Sequence, residues 1–136
     1  MRRLLALLCA PLPALALVAC TSAVSTSSFH GVEHEVAQTV ANLQADATSN
    51  DPKKICANDV SQAVVARLGG IKGCEAAIKR QLNEVDSLEL SVQSVQVASD
   101  GATATAHVKS VHEGKSRAGT VSLVKEDGRW KVSGVA

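Results

Sequence analysis

Apolar residues recur at Phe29, Val32, Val36, Val40, Leu43 and Ala47. The steps of three and four trace one face of an amphipathic helix. Glu33, Glu35, Gln38, Asn42 and Asp46 fall on the other faces. Ser49-Asn50-Asp51-Pro52 ends the run, since proline and the residue before it resist the α conformation. A second helix is expected after Asn58 or Asp59 as the cap, with Gln62 completing a capping box to Asp59. Val60, Val64 and Leu68 line one face and Gly69-Gly70 stops it. A third, short helix is predicted from about Gly73 to Asn83, with Cys74, Ile78 and Leu82 one turn apart.

Beyond Asn83 the period falls to two, the signature of strands. Leu88, Leu90 and Val92 alternate with Glu89, Ser91 and Gln93; Val95 and Val97 then continue on the opposite parity. An extra residue near Gln93-Ser94, a β-bulge, reconciles the two halves and bends the strand. Asp100-Gly101 marks a turn. Ala102, Ala104, Ala106 and Val108 alternate with Thr103, Thr105, His107 and Lys109 in a second strand. Glu113-Gly114-Lys115 turns again into a third strand, Arg117 to Glu126. Asp127-Gly128 reads as a two-residue hairpin loop. It sets Leu123 opposite Val132, Val121 opposite Gly134 and Lys125 opposite Trp130. Glu126 then meets Arg129, and the Lys125 stem lies over Trp130. Helices first and an antiparallel meander after them define an α+β fold: N-terminal helices packed on one face of a bent four-stranded sheet.

Ahead of these elements stands a different kind of segment. Arg2 and Arg3 precede an apolar stretch, Leu4 to Val18, interrupted by Pro11 and Pro13. This is the build of a secretory signal peptide, short of the about 20 apolar residues of a membrane span. It closes on Leu17-Val18-Ala19-Cys20, which resembles the bacterial lipobox. That resemblance implies cleavage before Cys20 and attachment of lipid to its thiol. Residues 1–19 would then be the leader, and residues 20–28 the lipidated cysteine and a tether. The tether, "TSAVSTSS" from Thr21 to Ser28, is small and polar and reaches at most roughly 28 Å. Residues 29–136 form one domain.

The four cysteines now separate by role. Cys9 leaves with the leader and Cys20 carries lipid, so Cys56 and Cys74 remain as a pair in an exported chain. A structural disulfide is the expected state outside the cytoplasm. A redox pair would favour Cys-x-x-Cys, and zinc would need further ligands beside them.

Composition excludes several functions. The chain has 14 Lys+Arg against 13 Asp+Glu, and losing Arg2 and Arg3 with the leader leaves an acidic surplus of one. There is no basic excess to hold nucleic acid. Phe29 and Trp130 are the whole aromatic complement, with no Tyr. Aromatic cages, base-stacking platforms and aromatic sugar sites therefore have no material.

The helix order, the bent sheet and the final "DGRWKV" strand resemble the nuclear transport factor 2-like (cystatin-like) superfamily, and within it small bacterial lipoproteins. Those share a lipobox, a Ser/Thr tether and a cysteine pair, here in the settings Asp51 to Cys56 and Cys74 to Ala77. The resemblance implies a cone with a pocket between helices and concave sheet, and a possible homodimer through the sheet. Enzymes of the superfamily use an acidic base with a Tyr or acid donor. With no Tyr, and with Glu89 and Glu126 on polar parities, no catalytic residue carries over.

Other motifs are weak. "HGVEH", His30 to His34, matches an inverted zinc-peptidase pattern, but it sits at a helix start beside a tether in a small chain, and no metal is expected there. His107 is the one strand residue with acid–base chemistry to offer a pocket. "GGIKG", Gly69 to Gly73, follows a helix and lacks the ending of a phosphate loop. The resulting expectation is a bacterial lipoprotein, anchored to the cell membrane through its N-terminal lipid and facing outside the cytoplasm. Its role is non-enzymatic binding of a small apolar ligand or an envelope protein, without cofactor. The alternative is a small isomerase- or dehydratase-type enzyme using His107.

Overall fold

A computed structural model describes residues 25–85 and 89–136. The leader, Cys20 and Leu88 lie outside the described residues. Helix α1 runs Gly31–Thr48. Its buried face is Val36, Ala37, Val40 and Gln44, rotated from the expected stripe. Val32 is 43% exposed, and Phe29 precedes the helix and is half-buried. Two side chains explain the rotation. Ala37 has little bulk, so the helix can sit close to the sheet. Gln44 tolerates burial because its Oε1 accepts the backbone N–H of Leu90 at 3.0 Å. The helix ends as expected: Ser49 N–H donates to Ala45 O, and Asn50 takes a left-handed φ of 52°.

Asp51 caps the brief helix α2, Pro52–Lys54, by accepting from Lys54 N–H at 3.1 Å. The chain then widens into a π-helical turn, Ile55–Asp59, closed by Val60 N–H on Ile55 O. This turn consumes Asn58 and Asp59, so neither caps the next helix. Ser61 does, accepting from Val64 N–H at 3.3 Å to start α3, Gln62–Arg67. Asp59 instead points inward and is 4% exposed. Helix α4, Gly70–Glu84, begins three residues earlier than the sequence suggested. Gly69 and Gly70, at φ 92° and 84°, reverse the chain on the spot. Gly73 then lies within α4 because it passes against the end of α3; a Cβ there would sit 1.9 Å from Leu68 O. A disulfide joins Cys56 of the π-helical turn to Cys74 of α4, with Cα atoms 6.0 Å apart.

The strands are β1 Glu89–Val97, β2 Thr103–His112, β3 Lys115–Glu126 and β4 Arg129–Val135. They pair antiparallel in chain order. Glu113-Gly114 and Asp127-Gly128 form two-residue loops with positive φ at both positions, which matches the twist of a hairpin. The β1 bulge is present: register shifts between Val92 and Ser94, so Val92 and Val95 are both buried beneath the helices. Near the hairpin, β3 and β4 pair as expected, from Glu126–Arg129 to Leu123–Val132. Beyond that, Val121 faces Val135 and Gly134 faces Ser122, because Ser133 is an extra residue. The helix layer holds the strand at this bend. Val132 O accepts from Ser61 N–H at 2.9 Å, and Ser133 O accepts from Arg67 Nη2 at 3.3 Å.

The core lies between α1, the π-helical turn and the inner sheet face. Val36, Val40, Ile55, Ala106, Val121 and Leu123 are all within 1–2% of complete burial. Trp130, 5% exposed, closes one end, with Lys125 Nζ 5.6 Å from its ring centroid. The outer face carries Ser94, Gln96, Thr105, His107, Lys109, Thr120 and Ser122, with Val111, Ala118 and Val124 among them, and is mostly polar.

Candidate functional site: an open cleft and a buried carboxyl

The strand parity that buries Val95, Ala104 and Leu123 also floors a cleft at the entry to α1. The cleft has a volume of about 1100 Å³ and touches all four strands, from Val95–Ala98 on β1 and its end to Ser133 on β4. Its rim on the helix side is His30, Val32 and Glu33. Aliphatic and hydroxyl side chains and the Gln96 amide make up its walls, and the side toward solvent is open. This is a surface for contact and hydrogen bonding rather than an enclosed cavity.

No family model matches the sequence. No curated protein matches it. Among solved structures, a designed nuclear transport factor 2-like protein aligns over 74% of this chain and 95% of its own, with a TM-score of 0.50 and 14% identity. The chain has the nuclear transport factor 2-like fold. At that identity the likeness gives the fold alone, and no functional residue is transferred by it.

The described helix–sheet interior is occupied by its own side chains, and the cleft lies beside the entry to α1, reaching residues of both sheet faces. His107 is not in either. It pairs with Ser94 and Thr120 on the sheet face turned away from the helices, in a shallow groove of about 610 Å³ shared with Lys109 and Ala136. A pocket acid–base role within the cone is therefore not available to His107. Glu89 is exposed, and the Glu126 carboxylate accepts from Gln62 N–H at 3.1 and 3.2 Å, which ties β3 to the start of α3. His30 precedes α1 at the cleft rim, while His34 Nδ1 lies 3.1 Å from Thr26 O. Among the described residues no group of three or more His, Cys, Asp or Glu side chains is placed to hold a metal ion. No described helix is long and apolar enough to cross a membrane.

A second feature went unread in the sequence. Asp59, in the π-helical turn, is 4% exposed, and Asp46, near the end of α1, is among the charges acting on it. Asp59 Oδ2 is buried and has no partner among the described residues. Burial, then the charge and hydrogen bond of Asp46, push the Asp59 carboxyl up to about 7; Lys131 and Lys54 oppose the shift. Lys54 Nζ lies 3.9 Å from Asp46 Oδ1, and Lys131 Nζ donates to Asn58 O. Asp59 reads in sequence as a helix cap, and nothing in its flanking residues announces the wider turn that buries it.

Proposed function

We propose that this chain is a bacterial lipoprotein whose nuclear transport factor 2-like domain binds an envelope protein at the cleft beside the entry to α1. The anchor reading rests on Leu17-Val18-Ala19-Cys20 after an apolar leader. The Cys56–Cys74 bridge suits an oxidising compartment outside the cytoplasm. The observation that carries the binding role is the cleft itself: broad, open and crossed by four strands. An extended segment of a partner suits that shape better than an enclosed small molecule, which needs most of its surface buried. A small apolar ligand is the second reading, favoured by Val95, Ala104 and Leu123 on the floor.

The test starts with the chain recovered from membranes of its own host in mild detergent and examined by native mass spectrometry. A complex of defined mass with a second protein is expected, and Val32→Asp at the exposed rim should abolish it without altering the melting temperature. A small defined adduct on the chain would favour the second reading. An unaccompanied chain would remove both. In parallel, Cys20→Ala should move the protein from the membrane to the soluble fraction; retention in the membrane would overturn the anchor.

A further inference from the structure

The chain ahead of α1 is bonded to the helix rather than trailing from it. Phe29 N–H donates to Thr26 O at 3.1 Å and closes a turn. His34 Nδ1 lies 3.1 Å from the same carbonyl oxygen. A carbonyl only accepts, so the His34 ring is the donor and its Nδ1 carries the proton. Thr26 Oγ1 donates to Gln38 Oε1 at 3.4 Å. Gln38 Nε2 in turn donates to Asn42 Oδ1 at 3.0 Å, which orients the amide that receives Thr26. Phe29 is half-buried and packs on the core. Thr26 therefore lies back along the first two turns of α1, beside the cleft rim of His30, Val32 and Glu33.

We propose that Thr26 to Phe29 form a strap, clasped to α1 by His34, that holds the cleft close to the bilayer and so selects as its partner a protein held in the same membrane. The strap rests on the anchor and the binding role given above. With it clasped, the chain from Cys20 to Thr26 spans at most about 22 Å; unclasped, the chain from Cys20 to Gly31 spans at most about 40 Å. The clasp cuts the reach of the domain by nearly half. A partner confined to the same bilayer gains effective concentration at a cleft held this way, and a freely diffusing one gains none. His34 acts through the strap and is a positioning residue.

Three readouts test this. In amide exchange on the oxidised full chain, Phe29 N–H should lose about fivefold protection in His34→Ala. His34→Asn keeps a side-chain N–H near the place of Nδ1 and should restore it. Height is read by energy transfer from Trp130, the sole tryptophan, to dansyl-labelled headgroups, with the lipidated chain in phosphatidylethanolamine–phosphatidylglycerol vesicles. Transfer should fall by about half or more in His34→Ala, as the permitted reach nearly doubles, and return in His34→Asn. The complex with the partner should weaken in His34→Ala in native membranes yet keep its parental strength in mild detergent, where height has no meaning. Should His34→Ala not fold, Gln38→Ala, at an exposed position, removes the other clasp bond and should act in the same direction. Unchanged Phe29 exchange, unchanged transfer, a complex equally weakened in detergent, or a partner that is a freely soluble protein would each overturn the strap. Failure of the readings beneath it looks different: Cys20→Ala stays in the membrane, or the parent shows no complex at all.

Discussion

Replacing both bridged cysteines by alanine tests how the helical layer is held. Cys56 and Cys74 are separated by 18 positions, and the chain between them carries the rest of the π-helical turn, α3 and the start of α4. In the chain-entropy treatment, closing a loop of that size in the unfolded state stabilises the fold by about 3 kcal/mol. Both residues are at the core, at 2% and 0% exposure, so the lost sulfurs add a packing penalty. Ser61 and Arg67 still dock α3 on β4, so the variant should fold. Trp130 is the sole tryptophan and is buried, which makes its fluorescence a direct readout of urea unfolding. With a denaturant slope of about 1–1.5 kcal/mol/M for a domain of this size, the midpoint should fall by about 2–3 M. A drop below about 0.5 M would refute the reasoning. So would identical intact masses of the parent after alkylation with and without reductant, since the bridge would then not exist.

Three further outcomes follow from the same geometry. Gly73→Ala puts a methyl 1.9 Å from Leu68 O and should cost at least about 2 kcal/mol in urea unfolding, despite alanine's better helix propensity. Ser61→Ala removes the α3 cap and should cost about 1 kcal/mol, whereas Asn58→Ala should leave α3 intact by the same measurement. Global stability should also carry the Asp59 signature. A carboxyl raised from 3.8 to about 7 contributes most below pH 4, and its contribution declines as pH climbs to neutrality, by at most about 4 kcal/mol. The difference between the parent and Asp59→Asn across pH 4–7 isolates it.

Much of the sheet was legible because its turns pin the register. Asp-Gly and Glu-Gly loops fix which residues meet, and burial of one face forbids a one-residue slip. The β1 bulge could be read because Val92 and Val95 must both be inside. The β4 bulge could not: Ser133 and Gly134 carry no apolar signal, and the bend is set by hydrogen bonds from Ser61 and Arg67 across the fold. The π-helical turn has no composition of its own, so Asp59 was read as a cap. The rotation of α1 was hidden because Gln44 looks like a surface residue until Leu90 N–H is found against it. The cleft is a product of where α1 begins relative to four strands, which no local pattern encodes.

The two margins of the sheet are unequal. On β4, backbone groups at Val132 and Ser133 are taken by Ser61 and Arg67. On β1, Gln44 covers Leu90, and Val92 to Val97 continue without a charged or proline residue. Such a margin is a template for another strand. The opposite margin is occupied at Val132 and Ser133, which disfavours a further strand there. Two copies joined edge to edge along β1 would present only their partly covered β4 margins, an arrangement that opposes growth by sheet extension.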